Sequence, residues 1–151
     1  MELEDFFCSI EQSRKLVSLG VSDKTVFCYS YRKGDSETTA QIVPANLYHK
    51  DFVHVPAYSC SELGTMILFR EGSYEFDLGF SSYYRTCFKK KWRIKLYNGV
   101  PDTHESNAHG ETEAIARAAA VIWSIEKNKL SIADCNKSLM NSDESQLDTQ
   151  S

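Results

Sequence analysis

ETEAIARAAAVIWSIEKN, residues Glu111 to Asn128, is the longest run in which apolar spacing, charge placement and composition agree. Ile115, Ala118, Ala119, Ile122 and Ile125 recur at steps of three and four, which places them on one face of a helix. Glu111 and Glu113 at its start, with Lys127 and Lys129 at its end, suit the helix macrodipole. Ala114, Ala116 and the run from Ala118 to Ala120 let the helix lie close against a sheet, and Trp123 anchors its far edge. The rest of the chain is expected to cover it.

Working back to the start, Leu3, Phe6, Phe7, Ile10, Leu16 and Val17 fall on one face of a predicted helix over Leu3 to Leu19, closed by Gly20. TVFCYSYRK, Thr25 to Lys33, is β-branched and aromatic and reads as a strand. Gly34 and Asp35 turn the chain, and Ala40 to Val43 returns as a second strand closed by Pro44. The segment from Asn46 to Val55 is read as irregular or as an edge strand. Its His49 and His54 have no further ligand at helical or strand spacing and are read as satisfied loop histidines.

Within Pro56 to Ile67, Ser59 and Glu62 have the spacing of a capping box, in which each side chain satisfies an amide of the first turn. A short helix follows with Leu63, Met66 and Ile67 as its apolar edge, and Gly64 is expected to admit a close neighbour. Neither Ser59 nor Ser61 lies in a G-x-S-x-G turn, so neither is read as a nucleophile. Tyr74, Phe76, Leu78 and Phe80 alternate with Glu75, Asp77 and Gly79, and Trp92, Ile94 and Leu96 repeat the pattern. The two runs are expected to be antiparallel partners. Asn98 and Gly99 form a turn, Val100 to Gly110 is read as a loop, and the polar run after Asn136 as a disordered tail. The expected architecture is α+β: one domain over residues 1–135, with an antiparallel sheet of about four strands and helices mainly on one face, and a tail over 136–151.

Composition narrows the function. The 151 residues are 42% hydrophobic and 12% aromatic, enough for one core, and the net charge of −4 argues against a surface that tracks nucleic acid. No apolar run reaches the ~18 residues of a membrane span, and MELEDFF is acidic where a signal peptide is basic, so a cytoplasmic location is expected. Cys8, Cys28, Cys60, Cys87 and Cys135 are odd in number, widely separated and without zinc spacing, and are read as buried reduced thiols.

In order, EQSRKLVSLGV (Glu11 to Val21), PAYSCSELGTMI (Pro56 to Ile67), the W-x-I-x-L-Y strand (Trp92 to Tyr97) and the alanine-rich helix from Ala114 to Leu130 resemble a group of short proteins of gut bacteria and their phages or mobile elements. The resemblance covers most of Ile10 to Leu130, and its matching positions are mainly structural. It implies a mobile-element origin and an accessory protein that binds something from the host, with no catalytic residue carried over. Where that group is hydrophobic after its middle helix, this chain has Phe69-Arg70-Glu71-Gly72.

Ser81 to Lys91, SSYYRTCFKKK, sets aromatic rings beside cations in an otherwise acidic chain. Tyr83 and Tyr84 could stack on a base while Arg85, Lys89 and Lys91 pair with phosphate. The first expectation is therefore a non-enzymatic protein that sequesters a host component, an anionic nucleotide-like small molecule, with no metal and no cofactor. A protein–protein adaptor or inhibitor, and a small enzyme without a recognisable motif, stay open beside it. Nucleic acid and membrane are not expected partners, and a homodimer is carried as the commonest assembly.

Overall fold

The computed structural model describes residues 2–70, 74–80, 90–97 and 104–148, with side chains described over 2–70, 92–97 and 108–140. Its described α-helices are α1 (Ile10–Leu19), α2 (Cys60–Ile67), α3 (Glu113–Glu126) and α4 (Ile132–Asp148). The strands are β1 (Phe27–Arg32), β2 (Gln41–Pro44), β3 (Phe52–Ala57), β4 (Tyr74–Phe80), β5 (Lys90–Tyr97) and β6 (His104–Gly110). The chain is α+β, with antiparallel strands and helices against them, as expected. Among the described residues the strands are divided between two sheets of three, in the orders β2-β1-β3 and β4-β5-β6.

The division follows from two apolar clusters. Phe7, Tyr29, Val55 and Ala57, with Ile10, Phe27, Ile42 and Val53, cover one face of the first sheet. Ile94, Leu96 and Ala108 of the second sheet meet Leu16, Leu63, Met66, Ala116, Val121 and Leu139 from all four helices. Helix α1 touches both clusters, through Ile10 on one and Leu16 on the other.

The expected helix over Leu3 to Leu19 is interrupted. A 3-10 turn spans Leu3–Phe6, Phe7 then bridges to Ser59, and the Cys8 amide donates to the Tyr58 carbonyl at 3.1 Å. Ser9 and Gln12 form a reciprocal capping box that starts α1 at Ile10. That local signal, S-x-x-Q, overrides the continuous apolar stripe. Gly20 closes α1 in the left-handed region, as expected.

Two further expectations are corrected. Residues 104–110, read as part of a loop, form β6, whose positions Ala108 and Gly110 stand opposite Ile94 and Trp92. Small residues there leave room for α3, so the strand carries no large apolar signal. The polar run after Asn136 is not a disordered tail up to Asp148, because α4 continues through it. Ile132, Cys135 and Leu139 put one apolar stripe of α4 on the main core. Asn136 ties it to the end of α1, accepting from the Ser22 amide at 2.6 Å and donating to the Gly20 carbonyl at 3.3 Å.

Other expectations hold. Ser59 and Glu62 cap α2 reciprocally, and β4 pairs with β5 from Tyr74 opposite Leu96 to Phe80 opposite Lys90. Gly64 admits Arg117, whose Nη1 an added Cβ would overlap. Arg117 donates there to the Cys60 carbonyl at 2.7 Å and to Glu113 at 2.6 Å, clamping α3 to α2. The turn expected at Asn98-Gly99 lies outside the described residues.

Arg70 is buried. Its Nε donates to Ser124 Oγ at 2.9 Å, its Nη1 donates to the Tyr97 carbonyl at 2.8 Å, and its guanidinium lies 5.9 Å from the Trp123 ring. The cation thus joins the end of α2 to α3 and β5. Arg70→Ala should cost about 2 kcal/mol by leaving buried acceptors without a donor, read as a lower urea midpoint at an unchanged slope.

Candidate functional site

Pro44 ends β2 and starts an exposed connection over residues 45–51. Turns close it at both ends: the Leu47 amide donates to the Pro44 carbonyl at 3.1 Å, and the Phe52 amide donates to the His49 carbonyl at 3.1 Å. Lys33 N–H also holds the Asp51 carbonyl at 2.9 Å. Between these points two imidazoles fix the backbone. His54 Nε2 lies 3.2 Å from both the amide nitrogen and the carbonyl oxygen of His49. The Asp51 amide donates to His49 Nδ1 at 3.1 Å, and the His49 ring stands edge-on to Phe52 with centroids 5.4 Å apart. The histidines are satisfied, as expected, and serve to order the loop. His54 itself lies on β3.

The loop so held presents two apolar side chains to solvent. Leu47 is 60% exposed and Tyr48 is 74% exposed, while the Tyr48 ring lies 5.1 Å from the His54 ring, tilted by 36°. A large aromatic group fixed on one side and open on the other has already lost much of its rotational freedom. Contact on its open side then costs little further entropy. Sequence reasoning passed over this pair. Its signal was two apolar residues inside a turn-rich segment, between Pro44-Ala45-Asn46 and His49-Lys50-Asp51, where a strand could not bury them.

Beneath the same ring, Cys28 Sγ lies 3.6 Å from His54 Nδ1. Cys28 is 5% exposed, on the sheet face opposite Tyr29 and Val55, with Val43 and Pro56 as register partners. Burial pushes its thiol up from the ordinary value. Cys8 and Cys135 are also buried and free, whereas Cys60 is only half-buried; Cys87 lies outside the described residues.

The basic and aromatic positions singled out in the sequence, Tyr83, Tyr84, Arg85 and Lys89, lie outside the described residues. Lys91 belongs to β5, but its side chain is also outside them. On β5, Ile94 and Leu96 are fully buried, so the alternate positions 91, 93 and 95 share the opposite face. The register partners of Arg93 and Lys95 are Asp77 and Glu75, positions of opposite charge.

A cleft of about 200 Å³ lies between the end of α3 and the start of α4, lined by Phe69, Asn128, Lys129, Leu130, Ser131 and Asp134. It is below the ~300 Å³ at which small-molecule sites begin. Among the described residues no three His, Cys, Asp or Glu side chains converge as metal ligands, and no helix is long and apolar enough to cross a membrane. Comparisons with protein family models, curated proteins and solved structures give no match to this chain.

Proposed function

We propose that the chain is a non-enzymatic accessory protein of phage or mobile-element origin that acts in the host cytoplasm by binding a host protein through its β2–β3 loop. The observation that carries this reading is the exposure of Leu47 and Tyr48 on a backbone fixed by His49 and His54. Tyrosine is among the residues that dominate binding energy at interfaces, and a fixed loop spares the cost of ordering it on contact. Lys50 and Asp51 supply a polar rim beside the apolar pair. The mobile-element origin rests on the resemblance of the helix and strand phrases in the sequence.

The test compares the wild-type chain with a Leu47→Ser/Tyr48→Ser variant, each recovered from host lysate and weighed by native mass spectrometry. A co-purifying protein mass, depleted at least about tenfold in the variant, is the expected result; loss of one interface anchor alone costs ~2 kcal/mol. Equal recovery by both chains would overturn the loop as the docking element. A bound mass of a few hundred daltons, kept by the loop variant and lost on replacing Arg85, Lys89 and Lys91, would instead establish capture of an anionic small molecule.

A further inference from the structure

The β2–β3 loop is tied to the rest of the chain at every second residue. The Leu47 amide donates to the Pro44 carbonyl at 3.1 Å, the His49 amide to His54 Nε2 at 3.2 Å, and the Asp51 amide to His49 Nδ1 at 3.1 Å. The His49 and Asp51 carbonyls accept from the Phe52 and Lys33 amides at 3.1 and 2.9 Å. Among the described residues no hydrogen bond engages the amide or the carbonyl of Asn46, Tyr48 or Lys50. Every residue from Pro44 to Asp51 is exposed, and Leu47, Tyr48 and His49 lie outside both turns that close the loop. The inward backbone groups are therefore satisfied, and the open ones stand around one large apolar side chain. Proteins that take up an extended peptide bind it in that form, through main-chain hydrogen bonds at alternate residues and a pocket for a chosen side chain. In a serine endoprotease that pocket is S1, and its walls set which side chain enters.

We propose that the β2–β3 loop is a substrate-like inhibitor of serine endoproteases with an apolar S1 pocket, and that Tyr48 is the residue that enters the pocket. This rests on the reading of the loop as the docking element and names the class of its partner. The Tyr48 ring, 74% exposed, swings from its contact with the His54 ring into S1. The open backbone groups of Asn46, Tyr48 and Lys50 pair with the walls of the cleft. Hydrolysis would require the planar Tyr48 carbonyl carbon to become tetrahedral. The residues on either side of it are held, Leu47 by Pro44 and His49 by His54, and resist that movement. The peptide between Tyr48 and His49 is thus bound well and cut slowly. Complexes between pre-organised inhibitors and proteases keep their backbone on docking and are among the tightest known.

The experiment measures hydrolysis of small chromogenic peptides by chymotrypsin and by trypsin in the presence of the full-length chain. Wild-type protein at micromolar concentration is expected to slow chymotrypsin at least about tenfold and to leave trypsin unaffected. Tyr48→Arg should exchange the two, because the trypsin S1 pocket holds a carboxylate. Tyr48→Asp should inhibit neither enzyme, and Tyr48→Phe should inhibit as wild type does. His54→Ala, which removes the tie on His49, should be cut after Tyr48 at least about tenfold faster than wild type. Wild-type protein that leaves chymotrypsin at full rate, or that is itself cut after Tyr48 as fast as His54→Ala, overturns the proposal. So does inhibition that persists in Tyr48→Asp. A host protein that co-purifies through Leu47 and Tyr48 while chymotrypsin runs uninhibited would keep the loop as the docking element and strike the protease as its partner.

Discussion

Gly110→Ala should destabilise the protein by about 4 kcal/mol, a large share of the ~5–15 kcal/mol that keeps an ordinary domain folded. Gly110 is the last residue of β6, and Thr112, two positions on, caps α3 by accepting from the Ile115 amide at 3.2 Å. A Cβ on Gly110 would stand 2.5 Å from the Ala116 amide nitrogen, 2.8 Å from Ile115 Cγ2 and 2.9 Å from the Ile115 carbonyl carbon. Two of those three atoms are backbone, so no change of rotamer relieves the overlap. The first turn of α3 would have to lift from the strand, opening the face that buries Ala114, Ala116, Ala118 and Val121. Overpacking that side chains can absorb costs ~1–3 kcal/mol, and a clash with helix backbone lies above that range. Gly34→Ala is the control: its φ of +92° makes alanine strained by ~1 kcal/mol, yet nothing lies within 4 Å of the added carbon. Urea unfolding followed by circular dichroism should separate the two variants clearly. Equal losses would mean that α3 does not rest on Gly110.

That close approach also explains which parts of the fold could be seen in the sequence. Helix α3 was legible because periodicity, alanine content and charge all favour one conformation, and β4 and β5 because large apolar residues alternate strictly. Strand β6 was not, because its inward positions include Ala108 and Gly110, chosen by the nearness of α3 and carrying no hydrophobic signal of their own. Helix α4 was hidden by polar composition. Ile132, Cys135 and Leu139 are enough to dock it, since tertiary burial, not propensity, stabilises most helices. The break before α1 lies at Ser9 and Gln12, whose capping box sits inside an apolar stripe that runs on through it and hides it. For the candidate site, the loop histidines were rightly read as satisfied, while the meaning of Leu47 and Tyr48 depended on His54 arriving from β3 to hold them. Pairings across separate strands, such as Cys28 with His54, have no local signature.

Raising the pH from 9 to 12 should remove about 6 kcal/mol of stability, read as a steep fall in the urea midpoint. Burial pushes the Cys8 thiol from 9.0 up to about 11, the Ser13 contact opposing it, and pushes Cys135 up to about 12, with the Asp134 charge adding to the effect. Burial likewise raises Tyr29, which donates to the Cys8 carbonyl at 2.5 Å, and Tyr58, which donates to the Ser22 carbonyl at 2.7 Å. Below pH 9 these groups are protonated in both folded and unfolded chains, and stability is independent of them. Between pH 9 and the raised values the unfolded chain has released protons that the folded chain retains, so stability falls as pH rises. A tenfold difference in proton affinity between the two states corresponds to ~1.4 kcal/mol, which makes the Cys8 thiol worth about 3 kcal/mol and the Cys135 thiol about 4 kcal/mol once each has ionised in both states. Buried tyrosines extend the fall above pH 10. Urea midpoints measured under reducing conditions at pH 8, 9, 10 and 11 should decline progressively, and Cys8→Ala should flatten the part due to that thiol. A midpoint constant from pH 9 to 11 would show that Cys8 and Cys135 titrate alike in folded and unfolded chains. In that case neither sulfur is enclosed by the core that joins α1, α2 and α4, and the packing of α4 against the rest would have to be redrawn.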